Sequence, residues 1–404
     1  MRLVFLLCSF FIASTASAQM PFSDGQRVDI RFEYVNGFIV VPVVLNGIFQ
    51  LNFIFDTGAE HTILAQRAIT DLLQVNYQRR FTLLGADMTT EIYAYLAPGI
   101  SMKVGPMLVR DRPILVLEED YLRFSDYIGM EVQGILGADF FRRYVVRINY
   151  QRQVITLIPP GGFEPPKGFT SFSVDIERSK PYIEAKTVFK TGGEKTLRFL
   201  LDTGAALPLL IDVSSGPALE MPEQVVPSNL GHGLGGFLVG YKGRVKELRL
   251  PPFAFREVVT SFQDRSGLPN RDSLLIDQRN GIIGNLVLSR FTLIIDYIRE
   301  EVYLSPNRHY DDEFEYDRSG LLLVAAGPTL NDFYIYSVVD NSPAGEAGLQ
   351  PGDQIIRINW MPAAFLTLEG INRRLRKREG KRIRIVVKRD GKRIRKVFEL
   401  RKLI

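Results

Sequence analysis

The feature that most constrains this chain is a repeat. Phe53-Ile54-Phe55-Asp56-Thr57-Gly58-Ala59 returns as Phe199-Leu200-Leu201-Asp202-Thr203-Gly204-Ala205, 146 positions later. In both copies three large apolar residues, of the kind that fill a buried strand, precede one carboxylate and a Thr-Gly-Ala. A single Asp-Thr-Gly after a strand signals only a turn. Two copies at matched positions point instead to two strand-borne carboxylates that can meet as an acid/base pair.

The register holds beyond the motif. Asn46-Gly47, a strong hairpin signal, separates the strand Phe38 to Leu45 from the strand that delivers Asp56. Gly192-Gly193 does the same ahead of Asp202. Leu84-Gly85 matches Gly231 at an offset of 146, and Gly134-Ile135-Leu136-Gly137 matches Gly281-Ile282-Ile283-Gly284 at 147. Val145 to Tyr150 and Thr292 to Tyr297 follow, and each half closes on a short apolar strand before Pro159 or Pro306. One slip in a unit of about 146 residues is the mark of a tandem duplication.

This organisation predicts unit 1 over 25–162 and unit 2 over 163–308, joined by the Pro/Gly-rich stretch from Pro159 to Pro166. A polar, acidic segment from Asn307 to Arg318 leads into a third domain, 318–404, where the repeat does not recur. There the pattern predicts a strand over Phe333 to Val339 and a short capped helix at Ser342 to Leu349. A strand from Gln354 to Asn359, a helix from Thr367 to about Arg378 and a closing hairpin through Asp390-Gly391 follow. With 27 Phe and 16 Tyr, the fold class is expected to be mainly β.

At the N-terminus, Arg2, the apolar run Leu3 to Ile12 and the small residues Ala16-Ser17-Ala18 have the layout of a secretory signal peptide over 1–18. Export to the periplasm or cell envelope of a bacterium is the expectation, with a retained N-terminal anchor as the alternative. No later stretch approaches the roughly 18 apolar residues of a membrane span, so none is expected after signal removal. Cys8 is the only cysteine, which leaves the mature chain without disulfides, thiolate metal sites or a cysteine nucleophile. The three histidines, His61, His232 and His309, are scattered and suggest neither a metal site nor a serine triad.

From Ile371 to Ile404 sixteen Lys or Arg face three Asp or Glu, a net of +13 against +5 for the whole chain, which leaves −8 for the first 370 residues. Ile383, Ile385 and Val387 alternate with charges there, the pattern of a half-buried strand, so no nucleic-acid partner is expected.

The paired Asp-Thr-Gly-Ala loops, each with a downstream apolar-apolar-Gly, resemble aspartic proteases of the retropepsin and pepsin type over about Arg27 to Pro306. Gly134-Ile135-Leu136-Gly137-Ala138-Asp139-Phe140-Phe141 leans towards the retropepsin-like bacterial branch. The resemblance implies two tandem retropepsin-like β units forming a bilobal protease that needs no cofactor. Asp56 and Asp202 would be catalytic, Thr57 and Thr203 would bond across the dyad, and Gly58 and Gly204 would permit the tight loop. It also implies flaps over an extended peptide or protein substrate, with Gly85, Met88 and Tyr93 in one and Gly233, Leu234, Gly235 and Gly236 in the other. Five glycines between Gly231 and Gly240 mark the second as the more mobile. Asp139 has no counterpart at Leu286 and reads as a helix cap; His61 reads as a strand residue near the site wall. Ala59 and Ala205 replace a hydroxyl common in pepsins, which predicts a milder pH optimum.

Ser342-Pro343-Ala344-Gly345-Glu346-Ala347-Gly348-Leu349 through Asn359 resembles the core of a bacterial PDZ domain. Such a domain implies a C-terminal peptide ligand added as a strand, its carboxylate met by the loop at Gly320, Leu321 and Leu322. The expected function is an exported aspartic endopeptidase. The alternative is a catalytically inactive envelope protein that binds peptides in the cleft and the PDZ groove.

Overall fold

The computed structural model describes residues 26–84, 90–216, 219, 221–233, 236–266 and 279–404. The expected signal peptide and the flap candidates Gly85, Met88, Leu234 and Gly235 lie outside the described residues.

The duplication is a duplication of topology. In unit 1 the sheet runs Glu33–Val35, Phe38–Leu45, Phe49–Phe55, Gly134–Leu136, Ile63–Leu64, Met107–Leu117, Glu91–Val104, Arg80–Leu84. In unit 2 the same order is Asp175–Glu177, Lys180–Val188, Glu194–Asp202, Gly281–Gly284, Leu209–Asp212, Phe253–Gln263, Gly236–Leu250, Val226–Gly233. Each sheet curls until its second strand also pairs with its seventh, giving two similar barrel-like units.

The turns do what their residues allow. Asn46 and Gly47 both take positive φ, 48° and 72°, which a two-residue hairpin turn requires. The apolar-apolar-Gly segments are wedged between two strands. Phe53 to Phe55 run parallel to Gly134–Leu136, and Ile63–Leu64 lies antiparallel on the other side. A Cβ on Gly134 would stand 2.3 Å from the Ile63 carbonyl oxygen, and one on Gly281 2.0 Å from that of Leu210. Glycine is needed there because two backbones approach too closely for any side chain.

A third sheet of six strands joins the units. Val145–Asn149 pairs antiparallel with Phe291–Asp296, from Val145 opposite Asp296 to Asn149 opposite Thr292. Outwards lie Val154–Ile158 and Glu301–Pro306, then Val28–Arg31 and Thr170–Ser173 at the edges. The approximate two-fold axis passes through the central pair. One hydrophobic core spans both units, from Phe53 and Val146 to Phe199 and Leu293.

The third domain has its own sheet, in the order Leu321–Ala326, Asp332–Val338, Gln354–Ile358, Arg382–Arg389, Lys392–Glu399, and its own core. Ser342 and Thr367 cap its two helices by accepting from the Gly345 and Gly370 amides. The second helix is Leu368–Leu375, shorter than expected, and just beyond its end the Arg318 guanidinium donates to the carbonyls of Arg376 and Lys377. The basic strand is half-buried, with Ile383, Ile385 and Val387 in the core. The segment before this domain is strapped down rather than loose. The Arg290 guanidinium donates to the carbonyls of Tyr310, Asp312 and Glu313 and lies 3.7 Å over the Phe314 ring. Among the described residues no helix is long and apolar enough to cross a membrane.

Candidate active site

The strands Phe49–Phe55 and Glu194–Asp202 deliver Asp56 and Asp202 to the axis between the units. A Cβ on Gly204 would lie 2.3 Å from the Asp56 carboxyl carbon, and one on Gly58 2.6 Å from that of Asp202. Each loop therefore presses its glycine against the other loop's carboxyl group, and the two carboxyls are within hydrogen-bonding reach.

The loops are cross-braced. Thr57 Oγ1 donates to the Leu201 carbonyl at 2.8 Å and accepts from the Thr203 amide at 3.0 Å. Thr203 Oγ1 donates to the Phe55 carbonyl at 2.8 Å and accepts from the Thr57 amide at 3.1 Å. Both threonines are fully buried, so these four bonds are shielded from competing water. The Gly58 and Ala59 amides donate to Asp56 Oδ1 at 2.7 and 3.1 Å. The Gly204 amide donates to Asp202 Oδ1 at 2.8 Å.

The two carboxyls are not equivalent. Burial holds Asp56 well above the usual carboxylate range, and the Asp202 charge adds to it. Burial also raises Asp202, but the Arg279 guanidinium and the Gly204 amide oppose the rise. Two carboxyls this close and this buried titrate as a pair, and one proton is shared between them.

Beside the dyad loops the halves diverge. The Tyr150 hydroxyl donates to Asn285 Oδ1 at 2.6 Å, and Asn285 Nδ2 donates to the Gly37 carbonyl at 2.7 Å, which ties unit 1 to unit 2. The matching position in unit 1 is Ala138, so this polar link was visible in the sequence only as a break in the repeat. Asp139 does not cap its helix. Gly137 is the N-cap of Ala138–Phe141, and Asp139 instead accepts from Thr62 Oγ1 at 2.7 Å from inside the first turn. His61 is not in a strand either; it is an exposed residue before Ile63–Leu64.

The hairpins Arg80–Leu84 with Glu91–Val104 and Val226–Gly233 with Gly236–Leu250 occupy equivalent ends of the two sheets. Tyr93 lies on the first, its hydroxyl on Glu91 at 2.8 Å and its ring 3.9 Å from the Arg80 guanidinium. Gly233 and Gly236 face each other across the second.

The groove of the third domain is partly filled by unit 1. Helix Phe124–Ile128 packs on strand Leu321–Ala326, and a Cβ on Gly129 would stand 2.8 Å from Leu368 Cβ on the opposite wall. In the expected carboxylate loop, the Gly320 amide donates to Asp317 and the Leu321 amide to Ser319 Oγ. Gly320 has φ +82° and packs on Ser342, while Leu322 enters the strand pairing opposite Ser337.

Residues 41–140 and 187–285 each match a family model described as aspartyl protease, and residues 334–389 match one described as PDZ domain. The two protease matches begin 146 positions apart, the period of the repeat. A comparison with curated proteins found no match to the chain.

Proposed function

From a chain made of two aspartyl protease segments followed by a PDZ domain, we propose an aspartic endopeptidase that cleaves peptide bonds with Asp56 and Asp202. The observation that carries this reading is the cross-braced pair of carboxyls at the axis, each held against the other loop's glycine. Sharing one proton between two such carboxyls is the known behaviour of aspartic proteases. The charged member of the pair takes a proton from a water between the carboxyls. The protonated member donates to the oxygen of the scissile carbonyl as the water's oxygen attacks its carbon. The resulting diol collapses, with a proton passing to the leaving amine. The two equivalent hairpins would close over an extended substrate from both sides.

The test compares the parent with Asp56→Asn and Asp202→Asn on a mixed peptide library. Each substitution is expected to lower kcat/KM by about 100-fold to 10,000-fold, the usual worth of a positioned acid or base. Cleavage that survives either change, or a parent that captures peptides without cutting them, overturns the reading.

The enzyme is also proposed to be exported, on the strength of the layout from Arg2 to Ala18. N-terminal sequencing of protein from the cell envelope is then expected to begin at Gln19; a chain beginning at Met1 in the cytosol sinks this.

A further inference from the structure

The outer face of the PDZ sheet carries charge that the rest of the chain does not answer. In the hairpin of Arg382–Arg389 with Lys392–Glu399, Ile383, Ile385, Val387 and Phe398 enter the core. The residues between them point the other way, and most are cations. Lys388 stands opposite Arg393. Val386 lies between Arg395 on one side and Arg357 of strand Gln354–Ile358 on the other. Arg384 is opposite Val397, and Arg382 is opposite Glu399. All six cations are exposed, and none forms a side-chain ion pair among the described residues.

Three acids border this face: Glu399, Asp390 in the hairpin turn, and Asp332, which accepts from Gln354. Set against the six cations and Lys392, they leave a net charge of +4. Like charges directly opposite each other destabilise a strand pair. Lys388 facing Arg393 is therefore a cost that an external anion would relieve.

One corner of the face is apolar. The Arg384 guanidinium lies 5.7 Å from the Trp360 ring centroid, beside a turn in which the Arg384 amide donates to Asn359 Oδ1 at 3.0 Å. Trp360 is 84% exposed, and Met361, Pro362, Ala364 and Phe365 follow it at the surface, with no charged residue among them. An indole, with its apolar body and single N–H, suits the boundary between headgroups and acyl chains. Arginines suit phosphates, which they grip with two parallel hydrogen bonds. A nucleic acid would answer the cations but leave the apolar corner in water.

We propose that this face is a docking surface for an anionic phospholipid bilayer. Arg357, Arg382, Arg384, Lys388, Arg393 and Arg395 lie against the lipid phosphates, and Trp360 with its apolar neighbours enters the headgroup layer. A basic face together with an apolar anchor supplies the two signals that stable attachment to a membrane surface takes. The PDZ domain is then the membrane contact of the chain, whether or not Asp56 and Asp202 cut peptides.

Trp360 is the only tryptophan in the sequence, so its fluorescence reports on this corner alone. The test mixes the chain from Gln19 onward, which lacks the apolar run Leu3 to Ile12, with vesicles of phosphatidylglycerol or of phosphatidylcholine. Cosedimentation is expected with the anionic vesicles only and should weaken as salt rises. Trp360 emission should move to shorter wavelength on binding. Arg384→Ser combined with Arg395→Ser is expected to weaken binding about 25-fold, about fivefold for each basic residue held at an anionic surface. Lys103→Ser combined with Arg110→Ser makes the same charge change on unit 1 and should leave binding within about twofold. Equal binding to both vesicles, an unshifted Trp360 emission at saturation, or equal losses in the two double variants overturns the proposal. Tighter binding to a fluorescein-labelled DNA duplex than to the anionic vesicles assigns the face to nucleic acid and overturns it too. The Trp360 shift needs no substitution, so it decides alone if a variant does not melt like the parent.

Discussion

A carboxyl group placed beside another in a buried loop cannot behave as either does in water. Burial raises both Asp56 and Asp202; the neighbouring charge raises Asp56 further, and Arg279 restrains Asp202. In the proposed mechanism the pair carries one proton. As pH falls the pair takes up a second proton and the base is lost; as pH rises it loses its one proton and the acid is lost. Both limbs lie above the ordinary aspartate value, so kcat/KM is expected to peak above about pH 4. A maximum below that overturns the assignment. The same shift has a stability sign. A folded-state value above the unfolded one means that the native state keeps protons the unfolded chain has released, so stability falls as pH rises from about 4 through the folded value. Asp56→Asn is therefore expected to raise the urea midpoint at neutral pH, and an unchanged or lowered midpoint would count against the raised folded-state value. At this scale the repeat made the two aspartates legible. The difference between them was not, because it comes from groups such as Arg279, 77 positions from Asp202.

The glycines of Gly134-Ile135-Leu136-Gly137 and Gly281-Ile282-Ile283-Gly284 are best argued as parts of an element. Gly284 has φ −91° and ψ −179°, an extended backbone that any residue adopts. Its constraint is space: a Cβ would stand 2.2 Å from the Leu207 carbonyl oxygen and 2.7 Å from that of Ala205. Gly284→Ala is expected to cost about 3 kcal/mol in urea unfolding, the upper end for overpacking. Gly161→Ala, with nothing within 4 Å, should stay within about 0.5 kcal/mol. An unchanged midpoint for Gly284→Ala would overturn the steric account. Strands and hairpins were readable here because apolar runs and turn residues act over a few positions. The exact helix ends in the PDZ domain were not, since the carbonyls past Leu375 find their donor in Arg318, 58 and 59 positions away in the chain.

Across the whole molecule, the three domains are coupled by contacts that no local pattern announces. Arg290 straps the approach to the PDZ domain onto unit 2 through three carbonyls and the Phe314 ring, and Arg244 adds a bond to the Phe314 carbonyl. Arg290→Ala leaves those carbonyls without their donor and is expected to cost about 2–4 kcal/mol. Calorimetry should then show the PDZ transition separating from that of the protease units; a single transition at the parent's temperature would refute the strap. The acidic segment looked like a linker in the sequence because its polar side chains face solvent, while its carbonyls are what Arg290 holds.

The sequence by itself determined that this protein is built from two copies of a strand-borne aspartate unit and a separate C-terminal domain. Those signals lie within ten or so residues and are repeated. Only the tertiary structure decided that the glycine of each loop presses on the other loop's carboxyl, and that burial raises both carboxyls. It likewise decided that helix Phe124–Ile128 of unit 1 packs on the strand Leu321–Ala326 of the PDZ domain. These pairings join positions as far apart as Gly37 and Asn285, separated by 248 residues. Their energy depends on burial and distance in space, neither of which has a period along the chain.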